Sequence, residues 1–319
     1  MNVCFDLRRV DYTPFDKPVV TVGTFDGVHR GHQSIIKKLV EKAKRKKRKS
    51  VLVTFEPHPQ SVVAPKSAPR ILTTLEEKLS LLEKLGIDEV LVLNFDRELA
   101  NYSPEEFVEE IVVNKLNVGD LVIGYDHAFG KNRRGRTGLL KRLSQECAFG
   151  LEIVPPVENA GLPIKSTRIR EELKEGSFEK AVGMLGHGYP LYGTKITGSG
   201  LGKKLRYPTV NLAVSKAKLL PKDGVYISLA QMEGKLYTGM FFIGKSFLFP
   251  EKGRSLEVNV FDYKPKKDVK KISLFLLEWV RPNKRLKSLD ALKEQLKEDE
   301  RKARMFFSKK GGMVAYSQT

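Results

Sequence analysis

A chain of 319 residues is long enough for two domains and well beyond what one small core needs. Its composition is that of a soluble globular protein with no apolar run able to span a bilayer, and charge interrupts the N-terminus (Met1-Asn-Val-Cys-Phe-Asp-Leu-Arg-Arg9), so no signal peptide is expected. The net charge of +19, from 57 basic and 38 acidic residues, admits two readings: a nucleic-acid or membrane surface, or a field that attracts polyphosphate substrates. The basic residues are spread along the chain apart from Lys42-Ala-Lys-Arg-Lys-Lys-Arg-Lys49. That run ends the first expected helix, where cations favour the dipole, and the polyphosphate reading is preferred, with no nucleic acid and no membrane as partner. Cys4 and Cys147 are far apart and form no C-x-x-C pair, so reduced thiols and a cytoplasmic setting are expected.

Pro18-Val-Val-Thr-Val22 is a short apolar, β-branched run that reads as a buried strand. Gly23-Thr-Phe-Asp-Gly-Val-His-Arg-Gly-His32 follows as a turn, and Gln33–Lys42 carries Ile35, Ile36, Leu39 and Val40 at helical spacing. Further β-rich runs are expected at Val51–Phe55, Val90–Asn94, Leu121–Gly124 and Leu151–Val154, with helical patterns between most of them. Thr74-Leu-Glu-Glu77 is a capping box opening a helix through Leu85 that Gly86 ends; Ser103-Pro-Glu-Glu106 is a second, with proline at the first helical position. Alternating strands and helices predict an α/β fold with a Rossmann-like parallel sheet. No G-x-G-x-x-G follows the first strand, which disfavours a plain dinucleotide enzyme.

Near residue 183 the character changes. Gly183, Gly186, Gly188 and Pro190 crowd together as at a domain junction, giving expected domains 1–183 and 184–306 with a flexible tail at 307–319. Alternating runs at Leu191–Thr197, Val225–Met232, Leu236–Ile243, Leu256–Phe261 and Ile272–Leu277 predict a small antiparallel β-barrel. A final helix is expected from about Ser288 to Met305, and the residues after Phe307 read as a frayed tail.

His29 and His32 are three apart and share one face of a first helical turn. Gly31 between them leaves the backbone open to a ligand, and two imidazoles beside orphan helix N–H groups make a cradle for anionic oxygens. A metal site is set aside, because no glutamate stands in a zincin arrangement and no cysteine is near. Three later stretches fall where carboxyl ends of strands would lie: Thr54-Phe-Glu-Pro-His-Pro59, Gly124-Tyr-Asp-His-Ala-Phe-Gly-Lys-Asn-Arg-Arg-Gly135 and Ile164-Lys-Ser-Thr-Arg-Ile-Arg170. Ser166 and Thr167 are read as caps of a helix whose N–H groups face phosphates, with Arg168 or Arg170 adding charge. His58 reads as a loop residue or a pocket wall, Asp126 as a ligand or a loop brace, and Phe129 as pocket or core.

In the second half, Gly198-Ser-Gly-Leu-Gly-Lys-Lys204 fails as a P-loop by one position and by Lys204 where Ser or Thr is needed. It is still a Gly-rich flap able to lie on phosphates. Tyr207-Pro-Thr-Val-Asn211 puts a hydroxyl and an amide on one side of an extended chain, and Leu256–Asp262 alternates so that Glu257 lies on a barrel strand.

Taken in order, these stretches resemble the signatures of the bacterial bifunctional riboflavin kinase/FMN adenylyltransferase family: G-T-F-D-G-V-H-R-G-H, T-F-E-P-H-P, G-x-D-x-x-F-G-x-x-R-x-G, I-S-S-T-x-I-R, P-T-A-N and E-x-x-x-x-D-F. The resemblance covers nearly all of residues 15–305 and implies two ATP-dependent transfers, riboflavin to FMN and FMN to FAD. It implies His29 and His32 as catalytic at the adenylyl site, with Gly23, Thr24, Phe25, Gly31, Gly124, Ser166, Thr167, Arg168 and Arg170 binding ATP and His58, Asp126 and Phe129 binding flavin. At the kinase site it implies Glu257 as base, Gly198, Gly200, Gly202 and Lys203 on ATP, and Thr209 and Asn211 on ATP and Mg²⁺. The chain departs from these patterns at Lys165 (Ser in the family), Val210 (Ala), Arg206 (Gly) and Ser246–Phe249. An adenylyltransferase with a degraded barrel is the alternative, and a basic RNA-binding protein is the alternative of another class.

Overall fold

The computed structural model describes residues 1–5, 16–131, 134–197, 207–245, 253–263 and 269–309. It divides into two compact units, Met1–Ile71 with Lys78–Ser166, and Leu72–Glu77 with Thr167–Thr319. The expected junction at 183/184 separates the sheet from the barrel in sequence, while compactness places residues 167–183 with the barrel.

The first unit is built on a parallel sheet of β1 (Asn2–Cys4), β2 (Val19–Val22), β3 (Ser50–Glu56), β4 (Glu89–Asn94), β5 (Asp120–Gly124) and β6 (Gly150–Val154), ordered β1-β4-β3-β2-β5-β6. All four residues of β2 are buried, as a central parallel strand covered on both faces requires. Val19 pairs with Ser50 on one side and Asp120 on the other. Strand order therefore reverses at β2, and the crevice outside the carboxyl ends of β2 and β5 is the topological switch point where open α/β sheets bind ligands. The five expected strands are present with ends within one residue, and β1, which the sequence reading missed, pairs with β4.

Helix α1 (Arg30–Lys46) buries Ile36, Leu39 and Ala43. Part of the basic run at its end is held in ion pairs: Lys42, Lys46 and Arg48 converge on the buried Asp120 at 3.3, 2.6 and 3.0 Å. At 1.5 Å per residue, Lys42 and Lys46 lie about 18 and 24 Å along the axis from the helix's first residue. Helix α2 (Pro59–Val63) is short; α3 (Leu75–Glu83) opens on the expected capping box, Thr74 N–H donating to Glu77 at 2.8 Å and Glu77 N–H to Thr74 Oγ1 at 3.3 Å. After α4 (Arg97–Asn101) the Ser103 box caps α5 (Pro104–Glu106), but the helix then winds as a π-helix over Phe107–Lys115. Helix α6 (Thr137–Glu146) and a two-stranded ladder, β7 (Glu158–Asn159) with β8 (Leu162–Pro163), complete the unit.

The second unit contains α7 (Ser166–Glu175), α8 (Phe178–Leu185) and a closed antiparallel barrel. Its strands are β9 (Tyr189–Ile196), β10 (Val210–Ala213), β11 (Gly224–Met232), β12 (Lys235–Lys245), β13 (Arg254–Val260) and β14 (Lys271–Pro282). The five expected runs are five of the six staves; the short β10 closes the ring by pairing with both β13 and β9. Helix α9 (Leu289–Lys309) runs beyond the expected end at Met305, since Phe306 and Phe307 are buried and carry it on; 307–309 are helix, not tail. Residues 310–319 lie outside the described residues, as do Gly198, Gly200, Gly202, Lys203, Arg206 and Ser246–Phe249.

Two ion pairs are buried in this unit. Lys218 donates to Glu77 Oε2 at 2.7 Å and to Leu72 O, and its ammonium lies 4.1 Å from the Tyr189 ring centroid. Glu77 Oε1 takes the Tyr192 N–H at 2.8 Å. Arg281 holds Asp299 through three bonds of 2.7 to 3.0 Å. Such pairs hold because every charged atom is met; removing one partner strands the other. Lys218→Met should therefore lower stability by about 3–5 kcal/mol, read as a lower urea midpoint for the barrel's transition. The double variant with Glu77→Gln should recover part of that loss.

Candidate active sites

The turn after β2 is strained on purpose-built lines. Phe25, Gly27 and Val28 take φ of 47°, 84° and 40°, a left-handed conformation that a β-branched valine seldom adopts. The strain brings His29 to the capping position of α1, where its Nδ1 accepts the His32 N–H at 3.3 Å. An accepting Nδ1 puts the proton of the neutral ring on Nε2. The His29 and His32 rings stack with centroids 3.6 Å apart and planes 16° apart, and Phe25 meets His32 edge-on at 5.2 Å. The expected shared face is present. The reason for glycine at 31 is corrected: a Cβ there would lie 3.1 Å from the His29 ring, so it makes room for the imidazole. Gly23 serves Phe25 in the same way, its Cβ position lying 3.1 Å from that ring.

Beneath the pair lies Lys78, which sequence reasoning missed. It is 5 % exposed and donates to Thr54 Oγ1 at 3.0 Å, while the Thr54 hydroxyl donates to Thr24 O at 3.2 Å. Burial pulls the Lys78 ammonium down from its ordinary pKa, against the pull of the Asp26 and Glu56 carboxylates. His32 is held well below the usual imidazole value, first by burial and then by the charges of His29 and Lys78. Its Nδ1 is buried and has no protein partner among the described residues.

The segment Ile164–Ser166 runs beside this turn. Ser166 donates its hydroxyl to Asp26 O at 2.9 Å, and Ile164 O lies 3.6 Å from where a Gly31 Cβ would be. The expected cap by Ser166 and Thr167 is thus corrected, since α7 begins at Ser166 and that hydroxyl is spent on the turn. Thr167 is exposed, Arg168 half-buried and Arg170 buried; all three count with the second unit. Gly124 ends β5, its Cβ position meeting Ile35 of α1 at 3.1 Å. Asp126 pairs with Lys165 at 3.2 Å. Phe129 packs on the core beside Phe107, centroids 5.9 Å apart. His58 caps α2, its Nδ1 accepting the Gln60 N–H at 3.2 Å.

On the barrel, Asn211 and Glu257 are direct cross-strand partners, and Thr209 donates to Glu257 Oε2 at 3.1 Å. Ser255, two residues back on the same strand face, donates to Oε1 at 2.8 Å. Ser255 was missed, although period-2 alternation alone puts it beside Glu257. Asn259 donates to Pro208 O at 2.8 Å and anchors the segment carrying Thr209. Hydroxyl, amide and carboxylate oxygens thus gather on one barrel face.

A parallel sheet with a histidine pair at its switch point, and a barrel that gathers a carboxylate with hydroxyls and an amide, suit a transferase with two sites. Residues 13–168 match the FAD synthetase family and residues 185–307 the riboflavin kinase family. Bifunctional riboflavin kinase/FMN adenylyltransferases from Listeria monocytogenes and Escherichia coli are 33 % and 32 % identical to this chain, covering 94 % and 96 % of it and 95 % and 98 % of themselves. A solved structure described as a macrolide-efflux protein from Streptococcus pneumoniae matches with a TM-score of 0.80 at 28 % identity, covering 95 % of this chain and 98 % of that one. Among the described residues no helix is long and apolar enough to cross a membrane. The chain belongs to the bifunctional riboflavin kinase/FMN adenylyltransferase family: it phosphorylates riboflavin to FMN and adenylylates FMN to FAD, with ATP as donor.

The electrostatics set a pH dependence. Below the ordinary histidine value of 6.5 the unfolded ring of residue 32 takes up a proton that the folded ring refuses. The first unit should lose stability as pH falls through about 6.5, and His32→Gln should flatten that slope in denaturation curves taken from pH 7.5 to 5.

Proposed function

We propose that His29 and His32 stabilise charge on the α-phosphate of ATP while the FMN phosphate attacks it. The FMN oxygen forms the new Pα–O bond, the bond to the β-phosphate oxygen breaks, and pyrophosphate leaves. A phosphate monoester is largely dianionic at neutral pH, so no base is required. The residues serve to hold two anions together and to offset the charge that develops. The observation that carries this reading is the stacked pair itself, with His29 Nδ1 accepting the His32 N–H so that both imidazoles are held together at the first turn of α1. Gly23, Thr24, Phe25 and Gly31 form the turn, Gly124 and Ser166 flank it, and Thr167, Arg168 and Arg170 supply further donors to the β,γ-phosphates. The flavin end is assigned to the loops of His58, Asp126 and Phe129.

At the barrel, Glu257 takes the proton of the riboflavin hydroxyl as that oxygen attacks the γ-phosphate and ADP leaves. An alcohol, unlike a phosphate, needs this help. Each oxygen of Glu257 receives one hydroxyl donor and keeps a lone pair for the substrate. Thr209 and Asn211 would hold Mg²⁺ through hard oxygen atoms beside the ATP phosphates, where it would neutralise phosphate charge. The donor set fits, since Mg²⁺ keeps most of its water and takes one or two protein ligands. The adenylylating module is assigned to residues 1–183 and the phosphorylating module to 184–306, in the cytoplasm.

Riboflavin and Mg-ATP should yield FMN and then FAD on separation of the flavins. His32→Ala should cut FAD formation roughly a hundredfold or more and leave FMN formation intact. Glu257→Ala should slow FMN formation by about 10²–10⁴-fold with adenylylation of added FMN kept. Equal loss of both activities in either variant, with the fold intact, would refute the assignment.

A further inference from the structure

Lys165 is an exposed lysine in a specific setting. Its neighbours Ile164 and Ser166 both touch the histidine turn, through the 3.6 Å approach to Gly31 and the 2.9 Å bond to Asp26 O. Its ammonium crosses to Asp126, on the loop leaving β5, at 3.2 Å. β5 is the neighbour of β2 at the point where strand order reverses, so the pair lies on the crevice that the sheet topology marks for ligands. Asp126 Oδ1 is 3.7 Å from the Cβ position of Gly124, which itself faces α1. The exposed Tyr125 ring lies 5.8 Å from the ammonium.

We propose that Lys165 captures a substrate phosphate at the adenylyl-transfer site, with Asp126 as its resting counter-ion that the phosphate displaces. The proposal rests on the reading of that site given above.

The two side chains are about half exposed, 51 % for Lys165 and 49 % for Asp126. An ion pair this wet holds weakly and is easily exchanged. The incoming group is the better partner: a phosphate brings up to two charges and three acceptor oxygens where a carboxylate brings one charge. Lysine offers three donors on a flexible stem and can swing from one partner to the other without moving the backbone. The contrast with Lys78 is physical. That lysine is buried and bonded in place, whereas Lys165 is exposed and exchangeable. Asp126 raises the proton affinity of Lys165.

The test is steady-state adenylylation with FMN and ATP varied in turn, using the full chain, Lys165→Ser and Asp126→Asn. Riboflavin phosphorylation by the same preparations reports an intact fold. Lys165→Ser should raise one KM about three- to fivefold, leave kcat within about twofold, and flatten the rise of that KM with salt. A rise for FMN identifies the acceptor phosphate and a rise for ATP the donor's. Asp126→Asn should lower the KM for ATP or flatten its rise with salt where Lys165 serves the donor phosphate, because it frees the lysine; its FMN KM also reports the flavin contact assigned to Asp126 above. Unchanged KM values in Lys165→Ser would overturn the proposal, as would a parallel rise of the ATP KM in both variants, which would mean that the pair braces its loop. Should His32→Ala retain full FAD formation, the site assignment itself fails; should it lose FAD formation while Lys165→Ser behaves as wild type, only this proposal does.

Discussion

His29 closes the first turn of α1 with its own ring, and much of the geometry of that turn follows from that one bond. Serine, threonine, aspartate or asparagine usually does this work. Using an imidazole instead fixes the tautomer and holds the ring flat against His32. The arrangement demands left-handed backbone at Phe25 and Val28, conformations costing about 1–3 kcal/mol each. The turn persists because both of its ends are pinned, by the fully buried β2 and by the N–H of Gln33, which donates to His29 O at 2.9 Å. Ser166 adds a third pin at Asp26 O.

The two sites illustrate opposite solutions to phosphate chemistry. The sheet unit handles an acceptor that is already an anion, and at its turn paired imidazoles stand near a buried lysine that the Asp26 and Glu56 carboxylates keep charged. Two protonated imidazoles 3.6 Å apart would repel strongly, and the depressed His32 avoids that state. The barrel unit handles a neutral alcohol, and its central group is a carboxylate fed by hydroxyls.

Some of the many cations are fixed in place by carboxylates. Three cations of the 42–49 run are bound to Asp120, Lys218 is sealed against Glu77, and Arg281 against Asp299. These cations are held in ion pairs that brace the folded units.

What the amino-acid order determined by itself was local. The strand–turn–helix around His29, the two capping boxes, the five sheet strands and the alternation of the barrel all express periodicities and caps within a few residues of each other. The histidine pair and the Thr209–Asn211–Glu257 grouping were legible for the same reason, helped by their likeness to known motifs. Tertiary structure alone decided the rest: β1 at the sheet edge, Lys78 under Thr54 from 24 residues away, Lys218 against Glu77 from 141 residues away, and Lys165 across from Asp126. A lone lysine carries no periodic signal. Whether it is buried, spent or available depends on which distant carboxylate or hydroxyl the folded chain sets before it.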